Sequence, residues 1–223
     1  MKTIRKILLA GILALAGTSA FAQITTASAY FKTVSDYYAS LKTYEVDFEM
    51  SMDGNEMAGH LSFKAPDLLR MDFSNPEEQV IVYSSDLLTI YLPGSAAVLQ
   101  QQVSSESSGS KLATPQGLNL MNRYYTVAYE VGQEPEALDS ESSEQVVKLI
   151  LYKRSTAEAF KYIKIAISAE TKLIRRIEAA TNSGDDLILN FYDYKLNTDI
   201  SDQRFIYDAP SSANNYNNFL FAE

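Results

Sequence analysis

Apolar residues recur at Ile24, Ala27, Phe31, Val34, Tyr38 and Leu41, spaced 3, 4, 3, 4 and 3 apart. That period puts them on one stripe of an amphipathic helix, with Lys32, Ser35 and Asp36 on the other side. The period then changes to two. Tyr44, Val46, Phe48, Met50 and Met52 alternate with Glu45, Asp47, Glu49 and Ser51, as in a strand with one buried face. Asp53-Gly54-Asn55 predicts a hairpin turn. Beyond it, Met57, Gly59, Leu61 and Phe63 alternate with Ala58, His60, Ser62 and Lys64. Pro66-Asp67 ends that strand. Leu69, Met71 and Phe73 alternate with Arg70 and Asp72, and Asn75-Pro76 marks the next turn.

Further strands are predicted over 79–84, 87–92 and 97–103, at about ten-residue spacing. A Ser/Gly-rich loop at 104–110 leads to a short helix over 115–123, with Leu118 and Met121 on one side. Strands resume at 125–131, 146–153, 159–168, 173–181 and 186–195, with a short one at 205–207. The acidic stretch 133–144 reads as a loop. The expected fold is mainly β. Its curved antiparallel sheet of about ten to eleven strands forms a half-open barrel covered by α-helices, because a long sequential meander curls on itself.

The first 22 residues stand apart. Lys2, Arg5 and Lys6 precede an apolar run over 7–16 that is too short to span a bilayer, and Ala20-Phe21-Ala22 forms an A-x-A cleavage site. This is the pattern of a cleaved secretory signal peptide, with residues 23–223 as one domain. Its removal takes the net charge from −9 to −12. The expected product is soluble and extracytoplasmic, without a lipidation site because the chain has no Cys.

Composition narrows the chemistry. With no Cys and one His, no disulfide, thiolate zinc site or two-His metalloprotease helix can form. The acidic balance argues against nucleic-acid binding. No G-x-S-x-G elbow, G-x-G-x-x-G fingerprint or P-loop occurs. His60 reads as a surface residue opposite Leu61 and Phe63, and the carboxylate pairs Glu77-Glu78 and Asp185-Asp186 lie beside turns. No catalytic residue, metal or cofactor is assigned. What remains is the apolar face of the first three strands, rich in Met and Phe. That is a deformable surface, and an incompletely filled barrel interior is a natural ligand cavity.

The stretch 59–93 resembles the periplasmic outer-membrane lipoprotein carrier family (LolA-type). The matching positions are Gly59, Leu61, Lys64, Pro66, Leu69, Met71, Pro76, Ser85, Asp86, Tyr91 and Pro93. The signal peptide, the amphipathic helix and the Ile200–Phe205 run before Ala209-Pro210 fit the same order. The resemblance implies a carrier, not an enzyme. It would shield the acyl chains of lipoproteins crossing the periplasm from the inner to the outer membrane. Strand parity places Phe48, Met50, Met52, Leu61, Phe63, Leu69, Met71 and Phe73 as the lining of the cavity. Phe31 and Val34 would lie on one covering helix, Leu118 and Met121 on the other. Many members place Arg directly before the strand-ending Pro and use it in release. Ala65 stands there in this chain, so Lys64, Ala65 and Arg70 are the candidates for release control. Leu87 replaces a usual Gly. The implied partners are acylated lipoproteins, an inner-membrane lipoprotein-releasing transporter and, left open, an outer-membrane acceptor, with the carrier itself monomeric. A lipid- or lipoprotein-binding sensor of the same fold is the alternative. An envelope hydrolase lacks any nucleophile–base motif.

Overall fold

A computed structural model describes residues 25–84, 86–103 and 114–219. The predicted signal peptide, the 104–110 loop and Ser85 lie outside the described residues.

Helix α1 spans Ala27–Ser40. Thr26 caps it by accepting from the Ala29 amide at 3.2 Å, and the Leu41 amide closes it on the Tyr38 carbonyl. Of its predicted stripe Ala27, Phe31, Val34, Tyr38 and Leu41 are buried and Ile24 lies outside the described residues, while Ser35, expected on the polar side, is buried beside Val34. Six strands follow as a meander: β1 (Thr43–Met52), β2 (Asn55–Lys64), β3 (Leu68–Asn75), β4 (Glu77–Ser84), β5 (Leu87–Leu92) and β6 (Ala97–Gln102). The β1–β2 turn needs left-handed backbone at both central residues, and Asp53 (φ 51°) and Gly54 (φ 77°) supply it. Helix α2 (Pro115–Tyr124) begins with Thr114 capping the Gly117 amide. It runs straight into β7 (Tyr125–Tyr129). Then come β8 (Glu136–Ala137), β9 (Gln145–Lys153), β10 (Phe160–Ser168), β11 (Ile174–Thr181), β12 (Asp186–Leu196) and β13 (Asn214–Asn217).

All thirteen described strands belong to one sheet, in the order β13-β6-β5-β4-β3-β2-β1-β12-β11-β10-β9-β7, with β8 added beside β9. The ends of that order, β13 and β7, do not pair, so the sheet is open. Its curvature is visible in the core. Leu88 on β5 and Leu151 on β9 belong to one buried cluster with Phe31, Val34, Leu118 and Met121 of the two helices. Such distant strands share a core only if the sheet wraps around the helices.

The strand count exceeds the expected one through two short elements. β8 lies inside the predicted acidic loop and pairs with Gln145 and Val146. β13 pairs in parallel with β6. The strand predicted at 205–207 is absent. Phe205 instead ends a 3-10 turn, Asp202–Phe205, capped by Ser201.

The register gives the half-barrel two unlike ends. Met52, Asn75, Leu92, Lys153 and Thr181 finish their strands at the hairpin-tip end. Helix α1 is tied to the opposite end. The Tyr38 hydroxyl accepts from the Ile174 amide at 2.9 Å and contacts the Tyr194 hydroxyl at 3.2 Å, and Tyr194 donates to the Ile174 carbonyl at 2.8 Å. Burial pushes the Tyr38 phenol up to about 12.

Candidate functional site

Two neighbouring cross-strand rows on the concave face differ in burial. The first joins Tyr44, Phe63, Leu69, Tyr83, Leu88 and Gln101 across β1–β6. Every member is buried. The second joins Val46, Leu61, Met71, Ile81, Ile90 and Leu99. Here Val46 and Leu61 are buried, whereas Met71, Ile81, Ile90 and Leu99 are only half-buried. The concave wing is thus sealed along one row and open along the next. From Leu61 to Leu99 the open row crosses four strand spacings, about 19 Å at the usual inter-strand distance. A second open patch lies at the hairpin tips, where Met50 faces Met57 and Met52, 45% exposed, faces Leu187.

This geometry divides the predicted lining. Phe48, Leu61, Phe63, Leu69 and Phe73 are closely packed core residues. Met50 and Met71 remain half-open, and Met52 stands at the tip end. Phe31, Val34, Leu118 and Met121 are buried in the same core as the sheet residues. Sequence reasoning missed Ile81, Ile90 and Leu99, which carry the open row beyond β3. Their alternation was masked because Val80, Val82 and Val98, pointing the other way, are also apolar. Those side chains form an outer cluster with Tyr91, closed by Tyr207, Ala209 and Ala213 of the C-terminal segment.

Lys64 and Arg70 do not approach the concave face. Lys64 donates to the Ile200 carbonyl at 2.7 Å and pairs with Asp202 at 2.5 Å. Arg70 pairs with Asp72 at 2.7 Å, donates to the Arg204 carbonyl at 3.1 Å and lies 5.9 Å from the Tyr207 ring centroid. Alternation alone sends both outward, and they clasp the C-terminal segment there. Ala65 lines a cleft of about 480 Å³ between the end of β2 and residues 197–200. Arg204 completes the clasp by donating to Asp72 and, at 3.3 Å, to Ser62. Partial burial would raise the Asp72 carboxyl, but the hydrogen bonds and charges of Arg70 and Arg204 outweigh it and hold the group below the usual carboxylate range.

On the outer face a groove of about 500 Å³ gathers Asp47, Glu49, His60, Asp72 and Tyr192. Its polar groups are mutually engaged: His60 contacts Asp47 at 2.6 Å, and the Tyr192 hydroxyl donates to Glu49 at 3.1 Å. Among the described residues no group of three or more His, Asp or Glu side chains is placed to hold a metal ion. No helix among them is long and apolar enough to cross a membrane.

An open sheet wrapped around two helices, with an apolar concave face left partly uncovered, defines the class of helix-covered half-barrels. The chain belongs to the outer membrane lipoprotein carrier protein LolA family, whose model matches residues 39–208. No curated protein matches it by sequence. Among solved structures it is similar to an uncharacterized conserved protein from Thermus thermophilus, with a TM-score of 0.57, 12% identity, and coverage of 84% of this chain and 96% of that one. It is also similar to lipoprotein LppX of Mycobacterium tuberculosis, with a TM-score of 0.51, 10% identity and coverage of 78% and 96%. A third likeness is to the MucA/MucB complex of Pseudomonas aeruginosa, with a TM-score of 0.51, 10% identity and coverage of 84% of this chain but only 62% of that one. At these identities the likeness is one of fold.

Proposed function

We propose that this protein is a periplasmic carrier that shields the acyl chains of lipoproteins between the inner and outer membranes. The observation that carries the reading is the half-open row Met71–Ile81–Ile90–Leu99 beside a sealed one. Each buried CH₂ contributes about 0.8 kcal/mol, so an acyl chain laid along such a row is withdrawn from water without entering a closed cavity. A shallow groove also permits release, which a carrier needs. Family membership, the signal-peptide pattern of residues 1–22 and the absence of any recognised catalytic motif support the same reading. Its partners would be acylated lipoproteins and a transporter that extracts them from the inner membrane, with or without a separate acceptor at the outer membrane.

The test is native mass spectrometry of the protein purified from its own periplasm, followed by titration with a triacylated lipopeptide. Co-purified lipoprotein and a soluble lipopeptide complex are the expected results. A protein that carries nothing and leaves the lipopeptide aggregated overturns the reading. The second reading is a lipid- or lipoprotein-binding sensor of the same fold; MucB, which shares this fold, is solved in complex with a partner protein, MucA. Free lipid bound together with a membrane-anchored regulatory protein would point to that instead.

A further inference from the structure

The chain segregates charge in one place. Residues 130–144 hold six carboxylates (Glu130, Glu134, Glu136, Asp139, Glu141 and Glu144) and no cation. The next 32 residues, 145–176, hold eight Lys or Arg against two Glu, in a protein of net charge −9. These two stretches lie against each other. Glu130 pairs with Lys164 at 2.6 Å, Glu136 with Lys148 at 3.1 Å, Asp139 with Arg176 at 3.0 Å, and Glu144 with Arg175 at 2.8 Å.

The register shows what the carboxylates cover. Lys148, Ala166 and Arg176 form one row across β9, β10 and β11, with Lys164 two residues along β10. These side chains point away from the core, so they form a three-strand-wide surface of three cations, with Glu178 opposite Lys164 as its one carboxylate outside the acidic segment. The acidic segment spans it without close packing. A cavity of about 140 Å³ lies at this face, lined by Glu130, Leu138, Lys148, Lys164, Arg176 and Glu178. The backbone pairing of β8 is to the start of β9, its own neighbour in sequence. Apart from the Glu130 amide, which donates to the Lys148 carbonyl at 3.0 Å, attachment across the face rests on ion pairs that are all partly exposed. Such pairs are weak and screened by salt. Beside the surface stands one exposed side chain suited to a membrane interface, Tyr152 (50% exposed).

We propose that the outer face of β9–β11 is a docking surface for anionic lipid headgroups, and that residues 130–144 are its displaceable mask. A membrane presenting many anionic headgroups competes for cations that four weak pairs hold individually. While masked, the protein keeps its acidic exterior and stays off membranes. At an anionic surface the mask yields, and Lys148, Lys164, Arg175 and Arg176 engage headgroups. The inference is independent of the cargo carried in the concave groove.

The test is co-sedimentation with vesicles of phosphatidylglycerol and phosphatidylcholine, against vesicles of phosphatidylcholine alone. A variant with Glu130→Gln, Glu136→Gln, Asp139→Asn and Glu144→Gln should bind the anionic vesicles about tenfold more tightly than the unaltered protein. Adding Lys148→Gln, Lys164→Gln and Arg176→Gln should abolish the gain. No gain, or a gain that persists without the cations or on neutral vesicles, overturns the proposal. Hydrogen exchange on the unaltered protein decides the matter if the variants misfold. Anionic vesicles should speed exchange of amides 131–144, and unchanged exchange at saturating vesicle overturns the mask. Free glycerol phosphate in place of vesicles separates the sources. If it alone opens the segment, the site takes soluble phosphate and membrane docking is overturned.

Discussion

The rings of Phe48 and Phe73 meet edge-to-face across Gly59, with centroids 5.3 Å apart and planes at 82°. The three residues form one cross-strand row, Phe48 opposite Gly59 and Gly59 opposite Phe73. Only a residue without a side chain lets two aromatic rings close over the strand between them. The edge-to-face pair adds about 0.5–1.5 kcal/mol beyond the area it buries. The rings of this row are buried, one step beyond the open row toward the tips.

Gly59→Ala should therefore be costly. An added Cβ would run into the Asp72 carbonyl oxygen and sit 2.9 Å from both Phe48 Cζ and Phe73 Cα. Two of these neighbours are backbone, which cannot move without disturbing the β2–β3 ladder. The expected loss is about 3 kcal/mol, the upper end of overpacking penalties. It would be read as a lower urea midpoint with an unchanged slope. A variant as stable as the parent would mean that β3 is free to shift.

Parity along β1–β3 was legible because one face is apolar and the other carries Glu45, Asp47, His60, Arg70 and Asp72. The helix at Ala27–Ser40 was legible for the same reason, since only one stripe is buried. On β4–β6 the rule fails. Val80 and Val82 are buried outward under Tyr207 and Ala209 while Ile81 faces inward, so the run reads apolar throughout and Ile81 and Ile90 are lost from the site. The strand β13 has the sequence NNYN with every residue exposed, and its pairing with β6 is a backbone matter that no alternation reveals. Sequence also cannot rank burial within one face, which is why core Phe63 and half-open Met71 entered the same predicted lining.

Docking of α1 should depend on one hydroxyl. Tyr38 accepts from the buried Ile174 amide and meets Tyr194. Tyr38→Phe keeps the ring packing against Tyr44 but leaves that amide without its acceptor. The expected cost is about 1–3 kcal/mol, the penalty of an unsatisfied buried donor. Amide exchange at Ile174 should accelerate with it. Unchanged exchange there would show that water replaces the hydroxyl.

The clasp of the C-terminal segment should loosen in acid. Asp72 is held below its ordinary carboxylate value by Arg70 and Arg204. A group with a depressed folded pKa stabilises the fold above the unfolded value of about 3.9 and loses that contribution as pH falls through the folded one. Asp72→Asn should cost about 1–2 kcal/mol at neutral pH, between the values for exposed and buried pairs. It should also flatten the decline of stability below about pH 4. Thermal melts at a series of pH values check both. A variant whose acid decline parallels the parent's would place the acid sensitivity elsewhere.

The two concave rows should separate binding from stability. Ile81 is half-buried on the open row, and its neighbours Met71 and Ile90 are half-buried as well. Leu69, one row away, is sealed against Phe63 and Tyr83. Leu69→Ala should then cost about 2–5 kcal/mol of stability, as core truncations do. The open row should survive wherever the protein is still folded. Covering a fully exposed Ile is worth about 1.5–3 kcal/mol; Ile81 is already half-buried, so about half of that falls to binding and Ile81→Ser should lower affinity for a triacylated lipopeptide about 4- to 10-fold. Its effect on stability should be smaller, because that side chain already meets water. Fluorescence titration of the lipopeptide and urea melts of both variants give four numbers. The reading requires a crossed pattern, with affinity lost in one variant and stability in the other. If Ile81→Ser binds as the parent does, the acyl chains lie elsewhere, and the tip patch around Met50 and Met57 becomes the next surface to alter.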